Sequence, residues 1–367
     1  MKVLSLFDGI SCARVALERA GIPVEVYYAS EIDKYAIQVS SKNYPDIIPV
    51  GNVTQISNAM IAFGFDDIDL LIGGSPCQDL SIAKKDRKGL DGERSGLFWE
   101  YVRILKEVKP KYFILENVAS MPKEAKAIIT EALGVEPIMI NAALVSAQNR
   151  KRLFWTNIPN VTLPEDRGIL LKDILEENIA GEYDVNACSF RGRYLVDGKR
   201  KDVYGAKTEQ RLEIGGNKAH TITKVYKDSM VRIGQIGKGG QGDRIYSPEG
   251  KSVALSALGG GRGAKTGLYR LEKEPHGTVL DYYNDTIVPN GKAKTLGTNP
   301  QSTTAVAGQL VKDRSVIRKL TPVECERLQG LEDGYTEGIS NTQRYKCLGN
   351  AFNVDVVAHI LSFIPKY

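Results

Sequence analysis

Short apolar runs recur along the first 157 residues. Each gives way to a polar or glycine-bearing turn and then to an amphipathic stretch. Lys2–Phe7, Val24–Ala29, Ile47–Val50, Asp69–Ile72, Tyr112–Leu115, Ile138–Asn141 and Leu153–Thr156 read as strands. Runs this apolar suit strands covered on both faces. Between them, Cys12–Ala20 reads as a helix closed by Gly21 and Pro23, a second helix runs to about Lys42, and Leu97–Val108 is amphipathic. This alternation predicts an α/β fold built on a doubly wound, mostly parallel sheet. Ligands of such sheets bind outside the carboxyl ends of the strands.

Residues able to do chemistry gather at those ends. Leu70-Leu71-Ile72 runs into Gly73-Gly74-Ser75-Pro76-Cys77. A thiol there is either a nucleophile or a small buried residue. The first turn, Phe7-Asp8-Gly9-Ile10-Ser11, has one glycine where a full dinucleotide fingerprint has three, and Glu31 follows Gly9 by 22 residues. An acid at the end of the second strand can take ribose hydroxyls, while the turn alone reads equally as a helix cap. Glu116 ends the fifth strand. In Gln148-Asn149-Arg150-Lys151-Arg152, alternation sends Arg150 and Arg152 to one side, where they could serve a substrate or simply pair with a carboxylate. The stretch Ser81–Gly96 holds five basic residues and three glycines. It is a long connection, either a basic lid beside the thiol or a solvated loop.

Composition narrows the class. The 367 residues allow one large domain or two, and 42% hydrophobic with 25% charged is ordinary for a soluble globular protein. No apolar run is long enough for a membrane span, and the chain enters a strand at once, without a signal peptide. Five cysteines at 12, 77, 188, 325 and 347 form no C-x-x-C pair, which argues against a disulfide framework or a zinc site and fits a reducing cytoplasm. The three scattered histidines argue against a histidine metal site or a Ser-His hydrolase. The net charge of +5 conceals an asymmetry. Residues 186–316 carry 22 Lys+Arg against 12 Asp+Glu and hold 20 of the 36 glycines, while the rest carries 27 against 32. Basic charge concentrated in one segment favours a polyanion partner.

Phe7-x-Gly9, Pro76-Cys77-Gln78, Glu116-Asn117-Val118, Gln148-x-Arg150-x-Arg152 and Leu348-Gly349-Asn350 occur in this order. Together they resemble the DNA (cytosine-5) methyltransferases. Ser5–Ile10 and Ile72–Ile82 look closest to the animal de novo enzymes, and the basic insert resembles the recognition regions of bacterial and phage enzymes. The resemblance is strong over 1–160 and 317–364 and loose over 186–316.

It implies S-adenosylmethionine as cofactor, duplex DNA as partner and a flipped-out cytosine as target. Cys77 would add to carbon 6 of the base. Glu116 would serve ring nitrogen 3 and the exocyclic amine, in an acid form favoured by burial in a closed pocket. Arg152 would contact the carbonyl oxygen, and Arg150 would order the site. Phe7, Gly9 and Ile10 would meet the methionine end of the cofactor, Glu31 the ribose, Ile32 the adenine face, and Asn52 and Val53 its edge. Pro76 and Leu97 would line the methyl donor, with Asn350, Ala351 and Phe352 completing the pocket from a C-terminal helix. Two departures stand out: the family usually has aspartate where Asn52 stands, and glycine where Ser11 stands. The basic loop, with Ser81, Lys84, Lys85, Arg87 and Lys88, would close against DNA.

Residues 186–316 are expected to form a smaller β-rich target-recognition domain, with 1–185 and 317–367 as the catalytic domain. Lys218–Thr223, Lys251–Ser256 and Lys292–Gly297 echo one another as strand-like units. Arg244, Arg262 and Lys265 are candidate phosphate or guanine contacts. Near the end, Thr321 caps a helix with Pro322 in its first turn, and this stretch resembles the motif that organises the recognition domain. A cognate restriction endonuclease is a candidate partner, a monomer is favoured, and neither membrane nor metal is expected. The alternatives are a tRNA-modifying enzyme of the same architecture, an inactive DNA-binding relative, and a cysteine enzyme of unrelated chemistry.

Overall fold

Seven strands form one sheet in the order β3-β2-β1-β4-β5-β7-β6. They are β1 (Lys2–Leu6), β2 (Val26–Ser30), β3 (Ile48–Pro49), β4 (Leu70–Gly73), β5 (Tyr112–Val118), β6 (Ile138–Asn141) and β7 (Lys151–Thr156). The structure is a computed structural model. It describes residues 1–57, 65, 67–76, 95–177, 195–196, 199–200, 232–235, 244–255, 266, 268–272, 279–281, 286–288, 315–318 and 320–365.

β1 to β5 pair in parallel, and β7 runs antiparallel between β5 and β6. The sheet is therefore mostly parallel, as the strand–helix alternation predicts. The reversed β7 has a functional consequence: its beginning, not its end, lies beside the carboxyl ends of the other strands.

Alternation along the strands splits the core into two layers. Val3, Leu70, Ile72, Ile114, Ile140 and Phe154 face one side, where they meet helix α1 (Cys12–Arg19) and the terminal helix α7 (Val354–Leu361). Leu4, Leu6, Leu71, Phe113, Leu115, Leu153 and Trp155 face the other, beneath α3 (Phe98–Val108) and α4 (Lys123–Leu133). Burial of each such side chain stabilises by about 1.5–3 kcal/mol, which explains why these runs are apolar throughout. Trp155 also donates its indole N–H to Thr130 at 3.0 Å.

Several strand ends shift by one or two residues from the sequence reading, and two differences bear on the site. β5 continues through Glu116 to Val118, because β7 gives it a partner as far as Arg152. At the C-terminus, Asn350 ends α6 (Asn341–Asn350), and α7 starts afresh at Val354 with Asn353 as its cap. Asn350-Ala351-Phe352 thus lie at the break between two helices and not within one. The helix α5 (Pro322–Gln329) has the expected Thr321 cap, completed by Glu324 as a capping box.

Arg232–Gln235, Arg244–Tyr246, Leu268–Glu272 and Ser315–Arg318 form a separate four-stranded sheet. Lys251–Leu255 does not sit in it. Ser252 bridges Gln148, accepts from Asn149 N–H at 3.0 Å and donates to the Ala147 carbonyl at 2.8 Å. Tyr246, Val253, Leu255 and Tyr269 join the same apolar cluster as α1 and α7. The related stretches 218–223 and 292–297 lie outside the described residues.

Candidate active site

After β1 the chain winds to one side of the sheet through β2 and β3. It then returns to form β4 on the other side of β1. The crevice between the ends of β1 and β4 is where such a sheet binds ligands. Two groups of residues stand there.

The first surrounds the turn 7–11. Phe7, Gly9 and Ser11 all take left-handed backbone, with φ of 58°, 64° and 61°. Ser11 precedes α1 without capping it, and its hydroxyl donates to Asp8 instead. Glu31 binds the turn to its own loop: one carboxylate oxygen accepts from Gly9 N–H at 2.8 Å, the other from Ile32 and Asp33 N–H at 2.7 and 2.8 Å. A carboxylate accepts at about four sites, so these bonds leave capacity for a hydroxyl. Ile32 is 71% exposed, an apolar side chain held out at the strand end. Asn52 uses its amide oxygen to accept from Thr54 N–H at 3.1 Å. The side chains of Ile10 and Val53 are buried in the core, so only their backbones are available to a ligand. Beneath the turn, burial pushes the Asp8 carboxyl above its ordinary range, while hydrogen bonds from Ser11 and Tyr27 work against that.

The second group is carried by strands. Glu116 lies opposite Phe154 on β7, so Arg152 is its diagonal neighbour on the same face. Arg152 Nε meets Glu116 Oε1 at 2.7 Å. Arg150 is buried and spends its guanidinium on main-chain carbonyls, those of Leu255 (3.3 Å), Gly349 (3.2 Å) and Ala351 (3.0 Å). It therefore fixes the segment that carries Asn350-Ala351-Phe352. Glu116, Arg150, Arg152 and Phe352 line a small pocket with Ile140, Ala142, Phe154, Asn353 and Val356. Phe352 thus stands beside the carboxylate–arginine pair.

The two groups meet at Gly73, which ends β4, and Gly74, which follows it. A Cβ on Gly73 would lie 2.7 Å from the Leu6 carbonyl oxygen. One on Gly74 would lie 2.9 Å from the Phe352 ring and 3.2 Å from Glu116 Oε2. Asn117, whose role the motif alone does not disclose, reaches across from β5 and donates to Ser75 Oγ at 3.1 Å. It steadies the backbone leading to Pro76 and Cys77. Leu97 ends a short 3-10 turn and packs on the second core layer.

Cys77, Ser81, Lys84, Lys85, Arg87, Lys88, Arg262 and Lys265 lie outside the described residues. Arg244 opens the strand Arg244–Tyr246 and is partly buried. Among the described residues no cluster of His, Cys, Asp or Glu could hold a metal, and no helix is long and apolar enough to cross a membrane. Cys12 and Cys325 are fully buried, and burial pushes the Cys347 thiol up to about 12. None of these three is a ready nucleophile.

Residues 1–366 match the family of C-5 cytosine-specific DNA methylases. The chain belongs to that family. This methylase is 30% identical to the type II methyltransferase M.HhaI of Haemophilus parahaemolyticus, over 98% of this chain and 93% of that one. It is 28% identical to the orphan methyltransferase M.SPRI of Bacillus phage SPR, over 98% and 96%. Its fold is similar to that of the Entamoeba histolytica methyltransferase EhMeth (TM-score 0.63, 17% identity, 99% and 97% covered). It is also similar to a putative DNA modification methyltransferase from an E. coli prophage (TM-score 0.59, 20% identity, 99% and 98% covered). The protein is an enzyme of DNA methylation, and its family favours DNA over RNA as the substrate.

Proposed function

We propose that this DNA methylase uses S-adenosylmethionine to methylate carbon 5 of a cytosine flipped out of duplex DNA, with Cys77 as covalent nucleophile. The observation that carries the proposal is the Glu116–Arg152 pair. It lies at the carboxyl edge of the sheet and shares the Gly74 contact with the backbone that leads to Cys77.

The residues suit the cofactor. An exposed Ile32, a Glu31 carboxylate with capacity left, and a turn whose backbone is open at Gly9 offer a stacking surface, a hydroxyl acceptor and room for close approach. When bound, S-adenosylmethionine supplies an electrophilic methyl group. Glu31 would hold the ribose, Ile32 the adenine face, and Asn52 and Val53 the adenine edge. Phe7, Gly9 and Ile10 would frame the methionine end, with Pro76, Leu97, Asn350, Ala351 and Phe352 closing the pocket.

On the base side, the Cys77 thiolate adds to carbon 6 and makes carbon 5 nucleophilic. After methylation carbon 5 loses its proton, and the sulfur leaves as thiolate. Glu116 answers nitrogen 3 and the exocyclic amine. Arg152 holds Glu116 through Nε and keeps further N–H groups for the carbonyl oxygen. Residues 186–316 form the target-recognition region, and the basic stretch 81–96 lies against the DNA.

The test is incubation of the protein with unmethylated duplex DNA and labelled S-adenosylmethionine, followed by bisulfite sequencing. Protected cytosines in one short context support the reading, and label in tRNA but not DNA overturns it. Cys77→Ser should lower turnover at least about a thousandfold. Normal turnover in that variant would remove the nucleophile assignment.

A further inference from the structure

The turn 7–11 is held in a shape its own residues disfavour. Left-handed backbone suits Gly9, but Phe7 and Ser11 carry a Cβ and rarely adopt it. Such conformations persist where surrounding structure over-determines them, and they cluster at functional sites. Two devices do that here, one inside the Ser5–Ile10 stretch and one far outside it.

The first is Asp8, 5% exposed and set between Phe7 and Gly9. Its carboxylate accepts from Ser11 Oγ on one oxygen and from Tyr27 Oη at 2.6 Å on the other. Ser11 Oγ also contacts Ser40 Oγ on α2 (Lys34–Asn43). The strained residue is thus tied to the residue three positions before it and to two neighbouring elements.

The second is Tyr335, more than 300 residues away in sequence. Its buried hydroxyl donates to the Ile10 carbonyl at 2.7 Å. The loop that carries it is rigidly based. Glu326, fully buried, accepts from Gly334 and Thr336 N–H at 2.7 and 2.9 Å and pairs with Arg344 at 2.8 Å. From the other side, Asn43 donates to the Tyr335 carbonyl at 3.0 Å.

We propose that Asp8 and Tyr335 are positioning residues that hold the strained turn in the shape that accepts the methionine end of the cofactor. Both side chains are buried and bond to groups of the protein itself. Asp8 braces the turn from beneath, and Tyr335 braces it from the C-terminal segment that also carries Asn350-Ala351-Phe352. The proposal rests on the cofactor reading above.

Calorimetric titration of the full chain with S-adenosylhomocysteine tests it, at a temperature where circular dichroism shows each variant folded. Removing the Tyr335 hydroxyl leaves a buried carbonyl without its donor and lowers the population of the competent turn. Tyr335→Phe should therefore weaken the ligand at least about fivefold. Asp8→Ala should weaken it more, and Asp8→Asn, which keeps one acceptor oxygen, should recover part of the loss. Affinity for duplex DNA without cofactor, read by fluorescence anisotropy, should stay within about twofold.

A purely structural role would lower the melting temperature and leave the ligand dissociation constant unmoved. That result in Tyr335→Phe overturns the proposal. Should Asp8→Ala not fold, Tyr335→Phe and Asp8→Asn decide the matter. Failure of the unaltered protein to bind S-adenosylhomocysteine overturns the cofactor reading itself, and the proposal with it.

Discussion

The two halves of the proposed site, one for the base and one for the cofactor, are built by opposite means. On the base side, Glu116, Arg152 and Phe154 sit on regular strands, and their meeting follows from pairing register alone. On the cofactor side, the turn 7–11 has three left-handed residues, and contacts from β2, α2 and the loop around Tyr335 hold its shape. A strand places charged groups with little strain and needs few helpers. A turn that must bring its backbone close to a ligand is strained and depends on distant residues. Changes on the base side should therefore act on chemistry, and changes around the turn should act on binding.

Glu116→Gln offers the largest separation. The amide keeps the shape but can neither donate a carboxyl proton nor carry the charge that Arg152 faces. Turnover should fall by about 10²- to 10⁴-fold, the usual span for a general acid, while affinity for S-adenosylhomocysteine stays within about twofold. Single-turnover kinetics beside calorimetry would show this. A loss of cofactor affinity as large as the loss of turnover would end the distinction between the halves.

Gly74→Ala probes the wall they share. Its methyl group would press on the Phe352 ring at 2.9 Å and on Glu116 Oε2 at 3.2 Å. Phe352 is buried and cannot retreat freely. Overpacking of this kind costs about 1–3 kcal/mol, which thermal or urea unfolding would register. Here turnover and cofactor affinity should fall together. A change in only one would show that Gly74 belongs to a single half.

The same contrast explains what could be read from the chain. The strand-borne side was legible. The apolar runs give the sheet, alternation puts Arg150 and Arg152 on one side, and Glu116 ends up at the same edge. Arg150 was legible only as an ordering group, because its partners are the carbonyls of Leu255, Gly349 and Ala351, and carbonyls carry no sequence signature. Asn117 stands in plain view beside Glu116, yet its bond to Ser75 depends on how β5 lies against β4. Tyr335 gave no signal, and Asp8 showed only its place in the turn and not its bracing role, since a phenol and a carboxylate become fastenings only when folding brings distant segments together. The antiparallel β7 was also hidden: periodicity reports a strand but not its direction.

The smallest effect concerns the weakest fastening on the cofactor side, the ion pair between Lys346 on α6 and Asp33 in the Glu31 loop. Burial works to raise the Asp33 carboxyl, but bonds from Lys346 and from Tyr35 and Ala36 N–H outweigh it, and Asp33 titrates below its ordinary range. The bond to Asp33 in turn holds Lys346 above its own ordinary range, against partial burial. A depressed carboxyl stabilises the fold above its unfolded pKa, near 4, and loses that contribution as pH falls through the folded value. A raised ammonium contributes below about 10.5 and loses it as pH rises through its folded value. The pair therefore contributes most between about pH 4 and pH 10. Both side chains are partly exposed, at 39% and 24%, so solvent and salt screen them and the contribution stays below about 1 kcal/mol. Lys346→Ala should lower stability near neutral pH by no more than that. The difference should shrink in acid and in high salt, as paired urea unfolding curves would show. A larger loss, or one indifferent to acid, would mean that Lys346 acts through packing of its stem and not through its charge. The cofactor side would then rest on buried contacts throughout.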